Sequence, residues 1–212
     1  MLELLFSCHG FYLESLCALY RHFERNPDSF AELVISVESA EIEFDDSYNF
    51  VLLQGFFNIV VFWQIIPGLQ VDGSVDAAFL MEWVEAVRKR LLGHVSVEKS
   101  ELYLGYVLAS SPNGADGMWP AEAVRSVIEL MKSSVLERGI STRCYNRDSR
   151  GTRPDYIGGV PERCLANKYR ESSRRMSLRW PRTAAFLFQL AEDYEIEARL
   201  EDTKAEENAD EG

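Results

Sequence analysis

The stretch Pro120-Ala-Glu-Ala-Val-Arg-Ser-Val-Ile-Glu-Leu-Met-Lys-Ser-Ser-Val-Leu-Glu-Arg-Gly139 decides the class of fold. Val124, Val127, Ile128, Met131 and Val135 recur at spacings of three and four, the period of one face of an α-helix and not of a strand. Pro120 stands in the favoured first helical position and Gly139 is the expected stop, so one helix is predicted over residues 120–139.

The same reading extends outward. Upstream, residues 98–110 place Leu102, Tyr106 and Ala109 together with Leu104 and Leu108 beside them, and residues 75–92 carry Phe79, Trp83, Val87 and Leu91 on one stripe. Asp72 or Ser74 is the expected cap of that earlier helix. Asp72-Gly73-Ser74 has the start of a calcium loop, but the twelfth position holds Trp83 where a Glu is required, so the turn-and-cap reading prevails. Residues 50–66 are apolar on nearly every face yet interrupted by Gln54, Asn58 and Gln64, shorter than the roughly 20 apolar residues of a membrane span. A buried helix is expected there, with core strands as the minority reading because of its β-branched content. Nearer the start, residues 2–24 suit an amphipathic helix through Tyr12, Leu16, Tyr20 and Phe23, and Pro27-Asp28 restarts a second helix through Val37.

Downstream, residues 139–159 hold Gly151, Pro154, Gly158 and Gly159 with several Arg and no sustained period, which predicts a long Arg/Gly-rich loop. Pro161 then opens a helix through Arg179, and Pro181 opens the last, with Ala184, Leu187, Phe188, Ala191 and Tyr194 inward to about Leu200. The fold class is therefore all-α, an irregular multi-helix bundle. Trp83, Val124, Ile128, Leu187 and Phe188 are expected in its core. Its organisation is read as N-terminal helices over 1–46, the remnant of a larger protein, a helical domain over 47–201 and a disordered acidic tail over 202–212.

Charge is distributed unevenly along this chain of 212 residues with net charge −12. Between Arg138 and Arg182 stand eleven Arg and Lys168 against four acidic residues, a surplus of eight; the rest of the chain holds ten basic and thirty acidic residues. An acidic protein does not coat duplex nucleic acid with its whole surface, since that binding runs on phosphate neutralisation. A local basic face remains, and its candidate binding residues are Arg143, Arg147, Arg150, Arg153, Arg163, Arg174 and Arg175, with Tyr145 and Tyr156 for stacking.

Other chemistries find little footing. His9, His22 and His94 with the four Cys give no close ligand pair except Cys8-His9, whose side chains diverge on a helix, so no metal site is expected. There is no Gly-x-Ser-x-Gly elbow, no P-loop and no strand-borne Gly-x-Gly-x-x-Gly. Cys144 between Arg143 and Arg147 lacks a placed base. Gly158-Gly159 ahead of a helix could offer amides to an anion, while Asp72, Asp76, Asp116 and Glu122 read as caps and first-turn acids. No cofactor is expected. Without an export signal and without paired cysteines the chain reads as cytoplasmic, with reduced thiols and no membrane attachment.

Several short motifs together resemble a family. Asp72-Gly73 to Asp76, Trp119-Pro120 with Val124-Arg125, Gly158-Gly159 with Glu162-Arg163, and Trp180-Pro181-Arg182-Thr183 are similar to the C-terminal segment of a group of longer, uncharacterised bacterial proteins. Leu104-Gly105 and Leu136-Glu-Arg-Gly139 belong to the same likeness, which spans roughly residues 63–202. Members carry a short Asn-x-Arg-Gly loop, whereas this chain has the longer Asn146-Arg-Asp-Ser-Arg-Gly151. The resemblance implies a C-terminal piece or a shortened relative and brings no activity with it. The expected function is a non-catalytic helical interaction or accessory module whose Arg meet an acidic protein partner or another subunit, the alternative being polyanion or nucleic-acid binding through residues 138–182.

Overall fold

The computed structural model describes residues 9–39, 55, 56, 59, 60, 63–148 and 158–210. Among them the fold is all-α, with helices α1 (His9–Arg25), α2 (Pro27–Glu38), α3 (Ala77–Leu91), α4 (Val97–Leu108), α5 (Glu122–Met131), α6 (Ser134–Asp148), α7 (Val160–Met176) and α8 (Pro181–Asp210). The sole β feature among the described residues is an isolated bridge between Leu69 and Val75. Among the same residues no helix is long and apolar enough to cross a membrane.

The chain divides into two compact units, at places other than the boundaries near 46 and 201 expected from composition. One comprises the described part of Met1–Val127 with Ser133–Arg147; the other comprises Ile128–Lys132 and the described residues from Asp148 onward.

In the first unit the core is aromatic. The Trp63 ring is fully buried, with ring centroids 4.9 Å from Tyr20, 5.3 Å from Phe30 and 5.8 Å from Phe23, the last stacked. Trp83 of α3 tilts against Phe30 and donates its indole N–H to the Phe23 carbonyl at 2.9 Å, while the Tyr20 hydroxyl donates to the Ile59 carbonyl at 3.0 Å. Each ring with a polar tip finds a partner, as burial of an N–H or O–H demands.

Residues 50–66 are not one helix. Gly55, Phe56, Ile59 and Val60 are helical, but Trp63–Ile66 lies outside any helix, and at Ile66 the following Pro67 disfavours helical dihedrals. The expected burial does hold for Phe56, Ile59, Val60, Trp63 and Ile66, and the other positions of residues 50–66, apart from Gly55, Gln64 and Ile65, lie outside the described residues. The cap of α3 is Asp76, whose carboxylate accepts the amides of Ala78 and Phe79, both at 3.0 Å. Asp72 instead closes the preceding turn by accepting the Ser74 amide and hydroxyl. Of the predicted α3 stripe, Phe79 is exposed and Leu80 takes the inward place.

The predicted single helix over 120–139 is two. Lys132 adopts a left-handed φ of 50°, and Ser133 starts α6 by accepting the Leu136 amide at 3.1 Å while donating to Glu101 at 2.6 Å. Gly139 is then no stop but the middle of α6, facing Gly105 of α4. A Cβ on Gly105 would lie 2.3 Å from the Leu136 carbonyl oxygen, and one on Gly139 2.4 Å from that of Leu102. Only hydrogen in place of both side chains lets the two backbones come this close.

The second unit is built on an antiparallel hairpin of α7 and α8. Small residues line the contact: Ala166 of α7 and Ala184, Ala191 and Ala198 of α8 are buried, and Tyr169 stacks on Tyr194 at 5.7 Å. Ser173 donates to the Ala184 carbonyl at 2.7 Å. Leu187 is buried as expected, but Phe188 is half exposed. The buried positions 184, 187, 191, 194 and 198 follow the helical period closely, and residue 188 stands about 100° round from 187. The helix expected to end near Leu200 continues to Asp210, so the expected disordered tail at 202–212 is helical through Asp210.

Candidate functional site

Of the seven arginines considered as one binding face, five lie among the described residues, two in the first unit and three in the second. Arg143 lies on α6, not in a loop, because α6 runs on to Asp148; it is buried and donates to the Trp63 carbonyl at 2.9 Å. Arg147 is exposed near the end of the same helix. Arg150 and Arg153, with Tyr156, lie outside the described residues. Arg163, Arg174 and Arg175 belong to α7, but Arg163 stands in its first turn and the other two in its last. Eleven residues of helix separate them, about 16 Å of rise.

Arg163 does not wait for a ligand. It donates both terminal nitrogens to the Asp202 carboxylate of α8, and that carboxylate also accepts the Gly159 amide at 2.9 Å. The Gly159 amide, which could have met an outside anion, is thus taken by the protein's own carboxylate. The approach is close because Gly159 has no side chain: a Cβ there would sit 2.0 Å from the Ala198 carbonyl oxygen. The hydrogen bond from Arg163, then that from Gly159, hold the Asp202 carboxyl below the usual carboxylate range, and the Asp202 carboxylate raises the Arg163 guanidinium in turn. Farther along the hairpin Arg170 donates to Glu192 at 3.0 Å and lies 3.7 Å from Glu195.

The N-terminus of α8 is closed by the same device. Glu129, from the Ile128–Lys132 segment of this unit, accepts the amides of Arg182 at 3.2 Å and Thr183 at 2.8 Å and the Thr183 hydroxyl at 3.0 Å. This gives the Trp180-Pro181-Arg182-Thr183 motif a structural role, a helix start capped from 54 residues away.

In the first unit Asp116 and Glu122, read as caps, hold the loop before α5. Arg125 is 1% exposed and forms a bidentate pair with Asp116 at 2.6 and 2.9 Å, while donating to the Pro120 and Met118 carbonyls, both at 2.7 Å. Glu122 accepts the Ala115 amide. The Trp119–Pro120 bond is cis, Pro120 precedes the helix instead of opening it, and the Trp119 indole donates to the Ser111 carbonyl at 2.9 Å.

Besides Arg147, the arginines of this set that are exposed are those at the end of α7. Arg174 and Arg175 are exposed and make no ion pair among the described residues, and Arg179 lies over the Trp180 ring at 5.2 Å. Leu178 beside them is 99% exposed. Among the described residues no group of three His, Cys, Asp or Glu is placed to hold a metal ion, and Cys144 is buried while Cys164 is exposed.

Sequence reasoning passed over Asp202, Glu129, Arg125 and Arg170 as functional partners. Asp202 was assigned to a tail, and the Glu129 contact joins segments whose proximity no local pattern encodes. No family model matches the chain, and neither a curated protein nor a solved structure matches it.

Proposed function

We infer that the protein is a non-catalytic helical interaction module, an accessory part of a larger bacterial system. The observation that carries this reading is the use made of its ionic groups. At three helix starts, positions that suit an anionic ligand, carboxylates of the chain already stand, Asp202 on α7, Glu129 on α8 and Asp76 on α3. Arg125, Arg143, Arg163 and Arg170 are engaged with carboxylates or carbonyls of their own unit. Such groups stiffen helices and fix their surfaces, which is what a docking module needs.

The test is recovery of partners from the source cell with the full chain as bait, with and without nuclease treatment. A protein recovered in stoichiometric amount supports the reading. Recovery of nucleic acid alone, lost on digestion, favours the second reading, polyanion binding, for which the exposed Arg174, Arg175 and Arg179 are the specific observation. That reading expects a labelled single-stranded oligonucleotide to bind with an affinity that falls steeply with salt and is abolished by replacing those three residues together by Gln.

A further inference from the structure

The α7–α8 hairpin has two poles. From residue 172 to 191 the chain holds Arg174, Arg175, Arg179 and Arg182 and no acidic residue; from 192 to 211 it holds ten acidic residues against Arg199 and Lys204. The first run forms the corner where α7 ends and α8 begins, with Leu178 fully exposed on it. The second is the far half of α8. Gly159 packs on Ala198 and Gly158 on Asp202, so the residues of α8 after 202 run on past the start of α7, and Thr203, Lys204, Glu206 and Glu207 are exposed.

Between the poles α8 carries a second, unburied apolar line. Phe188, Ile196 and Leu200 are 50%, 57% and 52% exposed, and with Glu192 they stand four residues apart along one ridge. That ridge is on the side of α8 opposite Leu187, Leu190, Ala191, Tyr194 and Ala198, which face inward.

We propose that this ridge is a self-association surface and that α8 pairs antiparallel with α8 of a second copy about a two-fold axis near residue 194. Both halves of the complementarity reside in one chain, so the occupant that fits is a second copy. An axis at that level sets Phe188 against Leu200 of the other copy and Glu206 level with Arg182 at the opposing corner. Charge fixes the direction: a parallel pair would bring two acidic halves side by side along their whole length, whereas the antiparallel pair leaves only residues 192–196 facing each other at the axis and sets the outer part of each acidic half, Glu206 onward, beside a basic corner. The contact is isologous and closes, as a two-fold interface must. Three half-exposed apolar residues per chain make a small seam, so the ionic share of the association is large and salt weakens it.

This rests on the interaction-module reading, and the experiment separates the two. Sedimentation equilibrium of the full chain is expected to give a monomer–dimer equilibrium whose dissociation constant rises about tenfold or more between about 50 and 500 mM NaCl. Ile196→Asp, an exposed position, abolishes the dimer while leaving the circular-dichroism spectrum unchanged. The decisive arm is a charge exchange. The double variants R174E/R175E and E206K/E207K each self-associate at least about tenfold more weakly than the parent, and mixed together they form a heterodimer in which every corner again meets an opposite charge. A chain monomeric at low salt overturns the proposal, and so does a dimer indifferent to Ile196→Asp or a mixture of the double variants that does not pair. If a different protein is nevertheless recovered in stoichiometric amount from the source cell, the module reading stands and only the self-association is lost.

Discussion

Arg125 and Arg143 in the first unit are buried, one clamped on Asp116 and two carbonyls, the other donating to the carbonyl of the central Trp63. Arg163 and Arg170 in the second unit bridge two helices from their rims, with side chains 38% and 23% exposed. The first unit has surface ties of its own in Arg90–Glu32 and Arg138–Glu98, but Arg125 and Arg143 serve it as internal struts, whereas Arg163 and Arg170 are surface ties. What surrounds the guanidinium decides which. In the first unit aromatic rings and the Gly105–Gly139 approach supply a dense core, so a guanidinium there is desolvated and depends on partners within the fold, Asp116 and two carbonyls for Arg125 and the Trp63 carbonyl for Arg143. The hairpin of the second has alanines at its contact, which bring the backbones close, with Leu187, Leu190 and the Tyr169–Tyr194 stack buried beside them, and its rims carry the charges that join α7 to α8.

The sharpest way to break the first unit is to add atoms where none fit. A Gly in mid-helix ordinarily costs about 1 kcal/mol relative to Ala, so replacement at an open site stabilises. Gly105→Val is expected to do the reverse by about 4 kcal/mol, because the neighbour of the new Cβ is the Leu136 backbone carbonyl and not a side chain that can swing away. Urea denaturation followed by tryptophan fluorescence reads this, with Trp63, Trp83 and Trp119 in the first unit and Trp180 in the second. An unchanged or raised midpoint would show that α4 and α6 separate at no cost and that the approach is not structural.

A second experiment sharpens the contrast between strut and tie. Arg125→Ala leaves Asp116 without its bidentate partner and two carbonyls without donors, and is expected to cost about 3 kcal/mol. Arg163→Ala removes a pair open to water and screened by salt, and should barely move the denaturation midpoint. Equal effects in the two variants would erase the distinction between the units.

The parts of this architecture that could be read in advance are those encoded locally. Periods of three and four placed Trp83, Val124, Ile128 and Leu187 in the core, and most helix starts lie close to a Pro or a capping side chain. Local pattern also explains the misses. A left-handed Lys132 has no signature, so α5 and α6 read as one helix, and Gly139 reads as a stop because a Gly that serves close packing looks the same as one that ends a helix. The Arg surplus was visible as composition, but composition does not say which guanidinium meets Asp202, Glu192 or the Trp63 carbonyl. Those pairings span 22 to 80 residues of sequence, and only the packing that precedes them fixes the partner.

The gentlest perturbation is a proton on Asp202. Its carboxyl lies below the usual range, first because of the hydrogen bond from Arg163 and then that from the Gly159 amide. In the unfolded chain an Asp titrates at ~3.9, so above that pH the tie contributes its full share to the hairpin, and the share is lost progressively as pH falls from there through the lower, folded value. Between the two values the folded chain keeps the carboxylate while the unfolded chain takes up the proton. The Gly159 amide proton reports this directly by NMR, since it is hydrogen-bonded to the titrating oxygen. Its chemical shift is expected to change with a midpoint below the ordinary Asp value, and Asp202→Asn should flatten the curve. Arg163→Gln should move the midpoint back up towards the ordinary value, because the largest of the causes is then gone while the Gly159 hydrogen bond stays. A midpoint at the ordinary value in the unaltered chain would mean that Asp202 faces water, and that the end of α8 is joined to the start of α7 by the Gly159–Ala198 contact alone.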